Sequence, residues 1–234
     1  MKNAERPLQA LDFVRDYYCQ RRMVDGAPMS IYQIWEKGGA YNDSVTPSIY
    51  SPEYRSHIVL KLISLTNEGE TIFSIGCGNG FVEGDVAHCA RNVRAMDYNE
   101  EAVRLTAEKG VEAFQADFFD LAPASLSDVD LVYADGLLGH VFQAGSGLAA
   151  FTDKLRILAL RPGVRLVFSN DAPRDPEVAF CPHDHVRDFW FISKSYLAGY
   201  LNEAGFSLSE SYHFPYVRPL SGLRTRTICI AQVR

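Results

Sequence analysis

The stretch FSIGCGNGFVEG, residues 73–84, holds four glycines between an apolar run and a segment that favours a helix. Glycine permits positive φ and lets a ligand approach the backbone closely. A strand that turns sharply into a helix also directs backbone N–H groups and the positive end of the helix dipole at that ligand. The sequence therefore predicts a nucleotide-like ligand at this turn.

The spacing of the glycines excludes two kinds of nucleotide site. Gly76 and Gly78 fit the first two positions of the G-x-G-x-x-G pattern of dinucleotide-binding folds, but Phe81 stands at the third. The pattern is instead G-x-G-x-G, completed by Gly80, and no G-K-[ST] sequence of a Walker A loop follows. We therefore expect a ligand that carries no pyrophosphate.

A second group of chemically capable residues lies in CPHDH, residues 181–185, where a cysteine, an aspartate and two histidines are candidate metal ligands. Alternating histidines in an extended loop supply at most two or three ligands, and no helical histidine pair follows. We therefore favour a substrate-pocket loop, with His183 as a substrate-binding candidate, over a metal site. The metal alternative would use Cys181, His183, Asp184 and His185.

Residues 1–65 are irregular and rich in aromatic side chains, and we treat them as one N-terminal segment. Aromatic rings there could stack on a ligand, shield it from water or surround a cationic amine. The alternatives are a helical layer packed on the sheet and a contact between two subunits of a homodimer. The substrate-binding candidates in this segment are Tyr32, Trp35, Tyr41 and Tyr50.

Residues 66–234 alternate short apolar runs with helical patterns, which is typical of βαβ units and an α/β fold. The last two apolar runs have no helix between them, so they predict an antiparallel hairpin in an otherwise mostly parallel sheet. Asn99 and Ser193 are predicted N-caps, and Gly110 and Gly205 are predicted stops. Predicted strands cover 71–76, 92–97, 111–117, 129–135, 164–171, 207–216 and 224–233, and predicted helices cover 7–22, 53–66, 81–91, 99–110, 147–160 and 193–205.

Composition limits the class of protein. The hydrophobic fraction of 47% supports a substantial core, and no run of 18 apolar residues predicts a membrane span. The charged N-terminus does not look like a signal peptide, which predicts a cytoplasmic protein. A net charge of −6 argues against nucleic acid as a partner, and we interpret the basic segment RPLSGLRTR, residues 218–226, as a solvated face.

The five cysteines lack a C-x-x-C pair and are expected to be reduced and mostly buried.

The segment FSIGCGNG resembles the first motif of the class I S-adenosylmethionine-dependent methyltransferases, and further features resemble that family in order. VRAMD places Asp97 at a strand end 21 residues after Gly76, FQAD places Asp117 at the next strand end, and LRPGVRLVF resembles the entry to the fifth strand. The resemblance covers about residues 70–234. It implies a doubly wound, mostly parallel, seven-stranded Rossmann-like sheet with helices on both faces and one antiparallel strand near the C-terminus.

The resemblance also implies S-adenosylmethionine as cofactor, with S-adenosylhomocysteine as product, and it implies individual contacts. By this resemblance, the Asp97 carboxylate binds the ribose hydroxyls. Asp117 and the backbone N–H of Phe118 bind the adenine. The family usually has an acid where this chain has Ser74, and Glu83 or Asp135 could compensate for its absence. The cofactor-binding candidates are Ser74, Gly76, Cys77, Gly78, Asn79, Gly80, Asp97, Tyr98, Asp117, Phe118, Asp135 and Gly136.

The resemblance implies that residues 1–65 form an N-terminal helical and aromatic lid over the cofactor. It also implies that the residues which contact the methyl acceptor lie near the ends of the fourth and fifth strands or in this lid. His140 is the candidate general base, because an imidazole can take a proton from an amine or hydroxyl near neutral pH. Asp135 and Asn170 are candidates for orienting a polar acceptor. We expect an enzyme that methylates a small molecule of secondary metabolism, with nitrogen favoured over oxygen. The alternatives are an O-methyltransferase for a hydroxyl or carboxylate, a nicotinamide oxidoreductase, and a non-catalytic binding partner.

Overall fold

The computed structural model describes residues 18–37, 48–183, 186, 188–218 and 222–234. Seven of its strands form one sheet in the order β10-β11-β7-β6-β3-β4-β5. β11 is antiparallel to both neighbours, and the other pairings are parallel. The predicted topology, with its one antiparallel strand near the C-terminus, is therefore confirmed. The strands of this sheet are β3 (Thr71–Ile75), β4 (Asn92–Asp97), β5 (Glu112–Gln115), β6 (Leu131–Asp135), β7 (Arg165–Asp171), β10 (Ser207–Arg218) and β11 (Gly222–Gln232).

Helices cover both faces of the sheet, because alternate side chains of each buried strand point to opposite sides. Val132 and Ala134 of β6 belong to one hydrophobic cluster, and Leu131 and Tyr133 belong to the other. α6 and α7 pack on the first face, and α2 and α3 pack on the second. The helices are α1 (Ile31–Glu36), α2 (Pro52–Ser64), α3 (Phe81–Ala87), α4 (Glu100–Ala107), α5 (Leu138–Val141), α6 (Ala149–Ile157) and α7 (Lys194–Glu203).

The predicted helix ends are present in the structure. The Asn99 side chain accepts hydrogen bonds from two backbone N–H groups of the first turn of α4, at 2.9 and 3.3 Å. Ser193 accepts one from Tyr196 N–H at 3.2 Å at the start of α7. Gly110 and Gly205, just beyond the C-terminal ends of these helices, have φ of 82° and 93°. Glycine adopts this backbone conformation at little cost, which explains both stops.

Several elements differ from the predicted ones. The helix predicted over 81–91 ends at Ala87, and the helix predicted over 147–160 spans only Ala149–Ile157. Residues 7–17 of the helix predicted over 7–22 lie outside the described chain, and its last two residues begin a strand. That strand belongs to an unpredicted hairpin of β1 (Arg21–Val24) and β2 (Ala27–Ser30). Its turn, Asp25-Gly26, has positive φ at both residues, so the hairpin signal of an Asp-Gly pair was present in the sequence.

A second short hairpin, β8 (Phe180–Pro182) with β9 (Trp190–Ile192), was also missed. α2 belongs by sequence to the segment 1–65, yet its Tyr54, Ile58 and Leu62 are buried against the sheet. The division of the chain at residues 65 and 66 stays a prediction.

The cysteines are free thiols, as expected, but most are not buried. Cys77 and Cys229 are buried, whereas Cys19 and Cys89 are exposed and Cys181 is half-buried. The prediction of mostly buried thiols is therefore wrong, because three of the five lie in turns or short edge elements. Among the described residues, no helix is long and apolar enough to cross a membrane.

Candidate functional site

The glycine turn joins β3 to α3 and has the backbone that its sequence predicts. Gly76, Gly78 and Gly80 have φ of 73°, 55° and 67°. A Cβ at Gly80 would lie 2.5 Å from Thr106 Oγ1 and 2.8 Å from Thr106 Cα, so this position has no room for a side chain. A Cβ at Gly78 would meet nothing within 4 Å, which leaves open space above the backbone. The turn therefore offers a ligand direct access to its main chain.

Asp97, at the end of β4, is hydrogen-bonded to the backbone of this turn. Its Oδ2 accepts a hydrogen bond from Gly78 N–H at 2.9 Å, and its Oδ1 accepts one from Asn99 N–H at 2.8 Å. Burial raises the pKa of the carboxyl, and the backbone N–H groups of Asn99, Gly78 and Tyr98 oppose that rise. A carboxylate has about four lone-pair directions, so this one can still accept bonds from a ligand.

Ser74 and Glu83 form a buried pair beneath the turn. Ser74 Oγ donates to Glu83 Oε1 at 2.6 Å, and both side chains are buried. Glu83 Oε2 is also buried and has no hydrogen-bond partner within the described chain. Burial raises the pKa of Glu83 to about 7, with a further contribution from the negative charge of Asp97. An acid is thus present near Ser74, but on the helix and not on the strand.

Asp117 follows β5 and also has an unsatisfied oxygen. Its Oδ1 accepts a hydrogen bond from Phe119 N–H at 2.9 Å, which begins a short 3-10 helix. Its Oδ2 is buried and has no partner among the residues that the structure describes. Phe118 is buried beside it, and Tyr98 is exposed at the rim. Asp117 can therefore accept one further hydrogen bond from a ligand.

Asp135, at the end of β6, is engaged by the protein itself. Its Oδ2 accepts hydrogen bonds from Tyr54 Oη at 2.9 Å and Tyr133 Oη at 3.1 Å. Its Oδ1 forms an ion pair with Arg226. Gly136, the next residue, has φ of 77° and donates its N–H to Ser169 O at 2.8 Å. These contacts give Asp135 a structural role, and its role toward ligand or acceptor stays a prediction.

The ion pair of Asp135 belongs to a buried network that the sequence did not reveal. Arg226 Nη1 lies 3.3 Å from Asp171 Oδ1, and Arg226 Nε donates to Ser169 Oγ at 3.0 Å. Asp171 also binds Arg218 Nη2 at 2.7 Å and accepts a bond from Tyr216 Oη at 2.7 Å. The interpretation of the basic segment as a solvated face is therefore wrong for Arg218 and Arg226, which are 7% and 2% exposed.

His140 lies in α5, directly after the loop that follows β6. Its Nε2 is 3.1 Å from Tyr18 Oη, and its Nδ1 is buried with no partner in the described chain. Its ring packs edge-on against Tyr18 and Phe189, with centroids 5.8 and 4.8 Å away. Burial lowers the pKa of His140 to about 4, with a smaller contribution from the neighbouring His183. The imidazole is therefore neutral near pH 7.

Asn170, at the end of β7, positions α5 and β9. Its Oδ1 accepts a hydrogen bond from Gly139 N–H at 2.9 Å, and its Nδ2 donates to Trp190 O at 2.9 Å. A Cβ at Gly139 would lie 2.5 Å from Phe189 Cε2, so α5 packs closely against this loop. These contacts hold the helix that carries His140, and direct contact between Asn170 and an acceptor stays a prediction.

The predicted aromatic candidates of the N-terminal segment form one cluster, apart from Tyr41, which lies outside the described residues. Tyr18 stacks on Tyr32 with centroids 6.0 Å apart, and Tyr32 packs edge-on against Trp35 at 5.2 Å. Tyr50 donates its hydroxyl to Trp35 O. Trp35 Nε1 is buried without a partner among the described residues. Because Tyr18 touches both Tyr32 and His140, the cluster reaches the histidine.

Helix α1 is attached to the glycine turn by polar contacts. Asn79 Nδ2 donates to Tyr32 O at 3.1 Å and to Glu36 Oε1 at 2.7 Å. Lys109 Nζ binds the same Glu36 oxygen at 2.6 Å and lies 4.8 Å above the Phe81 ring. Asn79 Oδ1 is a further buried atom that lacks a partner in the described part of the chain.

His183 lies in the loop between β8 and β9 and stacks on Phe191, with centroids 4.8 Å apart. Its Nδ1 accepts a hydrogen bond from Val186 N–H at 3.1 Å. Asp184 and His185 fall outside the described residues. Within those residues, no group of three or more histidine, cysteine or acidic side chains is arranged to hold a metal ion.

The site as a whole has the polar atoms that a large polar ligand would satisfy. Buried side-chain atoms rarely lack a partner, so each such atom is a candidate contact. Those near the glycine turn and α5 are Asn79 Oδ1, Glu83 Oε2, Asp117 Oδ2, Trp35 Nε1 and His140 Nδ1.

Comparison with known proteins identifies similar sequences and folds. A family model described as a methyltransferase domain matches residues 73–168. A tabtoxin biosynthesis enzyme of Pseudomonas amygdali pv. tabaci is 58% identical over 226 residues, which cover 97% of this chain and 90% of that protein.

Two solved structures share the fold at low sequence identity. The 1,6-didemethyltoxoflavin-N1-methyltransferase of Burkholderia thailandensis, with bound 1,6-didemethyltoxoflavin and S-adenosylhomocysteine, is 20% identical with a TM-score of 0.63. The matched region covers 97% of this chain and 87% of the Burkholderia chain. The magnesium protoporphyrin IX methyltransferase of Synechocystis PCC 6803, with bound S-adenosylhomocysteine, is 17% identical with a TM-score of 0.65. The matched region covers 96% of this chain and 100% of the Synechocystis chain.

Proposed function

Since the chain belongs to the class I S-adenosylmethionine-dependent methyltransferases, we propose that it methylates a nitrogen atom of a small molecule in secondary metabolism. The 58% identity to a tabtoxin biosynthesis enzyme supports a role in secondary metabolism. The fold shared with a methyltransferase crystallised with 1,6-didemethyltoxoflavin supports a small-molecule substrate. One observation carries the choice of nitrogen. It is the position of the buried, neutral His140 beside the aromatic cluster.

The residues at the strand ends fit the cofactor. Asp97 has lone pairs left for the ribose hydroxyls, and Asp117 Oδ2 would accept from the adenine amino group. The open space above Gly78 would admit the ligand next to the backbone. When bound, the cofactor supplies a methyl group that its sulfonium charge has already activated.

Replacing Asp117 by asparagine is expected to weaken binding of S-adenosylmethionine by about ten- to hundredfold. The variant keeps the oxygen that accepts Phe119 N–H, but an N–H₂ group replaces Oδ2 and faces the adenine amino group, donor against donor. Isothermal titration calorimetry measures the effect, and the melting temperature should change little.

A modified cofactor makes this test specific. The analogue with hypoxanthine in place of adenine presents an acceptor at the same position, so it should lose less affinity on Asp117→Asn than the natural cofactor does. The exposed Asp128, which pairs with Arg94, serves as the matched control as Asp128→Asn. Equal losses for the two cofactors would contradict the assigned contact.

In this proposal His140 accepts the proton that the acceptor nitrogen loses as it gains a methyl group. Because the pKa of His140 is about 4, this transfer requires an acceptor nitrogen whose methylated form is acidic, as in an amine conjugated with an aromatic ring. For this, Nε2–H donates to the Tyr18 hydroxyl oxygen, and the Nδ1 lone pair faces the acceptor. A base with a pKa of about 4 is too weak to ionise a hydroxyl group near neutral pH. A neutral amine needs no prior ionisation, because its lone pair is already available. This difference supports nitrogen over a hydroxyl oxygen.

Replacing His140 by alanine is expected to lower kcat by about 10²- to 10³-fold and to leave cofactor affinity unchanged. Turnover would be followed with cofactor labelled in the methyl group, offered with panels of amines, phenols and carboxylic acids. Because His140 becomes protonated only near pH 4, it should not limit kcat between pH 6 and 8. Tyr18→Phe, which removes the partner of Nε2, should lower kcat less.

The same panel distinguishes the proposed function from its alternatives. Products labelled on oxygen would establish an O-methyltransferase and overturn the choice of nitrogen. Cofactor binding without turnover of any acceptor class would favour a non-catalytic binding protein. Full activity of His140→Ala would remove this residue from the mechanism.

A further inference from the structure

Two acidic side chains flank the glycine turn on its buried side. Burial raises the pKa of the Cys77 thiol, and the negative charges of Asp97 and Glu83 raise it further, so both carboxyl groups lie close to the turn. Asp97 accepts hydrogen bonds from two backbone N–H groups, and Oε1 of Glu83 accepts one from the Ser74 hydroxyl. Of these two acids, Glu83 is the one with a buried oxygen that has no hydrogen-bond partner among the described residues.

The free oxygen of Glu83 requires a donor. Glu83 is 4% exposed, and Oε2 has no partner in the described part of the chain. Leaving a buried carboxylate oxygen unpaired costs free energy, so such an atom in a ligand site indicates a ligand contact. A donor with positive charge would satisfy it best.

Within the part of the chain that the structure describes, no side chain supplies that cation to Oε2 of Glu83. Lys109 is the cation whose charge reaches Glu83, but its Nζ donates to Glu36 Oε1 at 2.6 Å and to Leu105 O at 3.2 Å. The other titratable groups that face Glu83 are Asp97 on β4, Tyr133 on β6 and Cys77 in the turn. None of these three can be positively charged.

We propose that Glu83 binds the α-ammonium group of S-adenosylmethionine and releases a proton to solvent when the cofactor binds. The ammonium group offers N–H donors to Oε2, whereas the sulfonium group of the same cofactor has none. The proposal rests on the cofactor of the proposed function and is independent of the acceptor. It also explains how Ser74 can stand where the related enzymes usually have an acid, because the acid is on the facing helix.

The proton release follows from the buried position of Glu83. Its pKa of about 7 means that roughly half of the free protein carries a proton on Glu83 at pH 7. A bound ammonium group stabilises the carboxylate and lowers this pKa, so binding must expel the proton. Affinity should therefore fall as the pH is lowered through 7, by roughly tenfold between pH 7 and pH 5.5. The cofactor amine stays charged over this range, since an α-amino group titrates at about 7.7–8.0.

Calorimetry of the whole protein with S-adenosylmethionine tests the proposal. Titrations at pH 7 in two buffers with different ionisation enthalpies give the number of protons released, expected to be about one half. Glu83→Gln should weaken binding by about ten- to hundredfold and abolish the release. The double variant Ser74→Asp with Glu83→Gln returns a carboxylate to the pocket and should restore affinity to within a few fold.

A ligand lacking the amino group completes the design. The analogue with hydrogen in place of the α-amino group should bind wild type and Glu83→Gln equally, without proton release. Glu108→Gln, at an exposed pair, should behave as wild type. Equal affinity and equal proton release for wild type and Glu83→Gln would overturn the proposal alone, whereas a folded wild type that bound no cofactor at any pH would overturn the cofactor assignment itself.

Discussion

Replacing Asp97 by alanine is expected to weaken binding of S-adenosylmethionine by at least about a hundredfold in a protein that remains folded. The variant loses the carboxylate that would bind the ribose hydroxyls. It also loses the acceptor of Gly78 N–H and Asn99 N–H, so the glycine turn is no longer held in position. Hydrogen bonds to a charged group contribute about 1.5–3 kcal/mol each, and two of them account for this loss. Calorimetry and circular dichroism measure binding and folding separately.

The control for Asp97→Ala is Asp85→Ala, which removes a partly exposed acid from the neighbouring helix α3. Its affinity should equal that of wild type. A folded Asp97→Ala protein with wild-type affinity would show that the cofactor does not contact this strand end.

Replacing Arg226 by methionine is expected to destabilise the protein by about 3–5 kcal/mol. Arg226 lies between the carboxylates of Asp135 and Asp171, and its removal leaves two acids facing each other with one fewer cation in the buried network. Arg218 still pairs with Asp171, but the structure places it on the opposite oxygen, Oδ2. Urea denaturation followed by circular dichroism measures the change in the free energy of unfolding.

Two further variants separate the buried charge from simple loss of packing. Adding Asp135→Asn to Arg226→Met neutralises the acid that loses its cation, so the double variant should recover part of the stability. Arg104→Ala, which removes an exposed pair with Glu108, should change stability by less than about 1 kcal/mol. An Arg226→Met protein as stable as wild type would mean that the network does not stabilise the strand ends.

The fold was largely predictable because its signals are local. Hydrophobic runs of the strand period, the caps at Asn99 and Ser193 and the stops at Gly110 and Gly205 depend on neighbouring residues only. The missed elements are short. β8 and β9 have three residues each, and their pairing depends on packing against α5 and β7 that no local pattern shows.

Sequence alone determined the position of the ligand turn and the order of the strand ends around it. The G-x-G-x-G spacing requires the positive φ that Gly76, Gly78 and Gly80 adopt, and parallel strands bring Asp97 and Asp117 to one edge of the sheet. Only the tertiary structure decided which polar atoms are already paired. Asp135 binds Arg226, 91 residues further along the chain, whereas one oxygen of Glu83 has no partner among the residues that the structure describes. Such pairing depends on side chains that folding brings together from distant strands and helices, and no periodicity in the sequence encodes it.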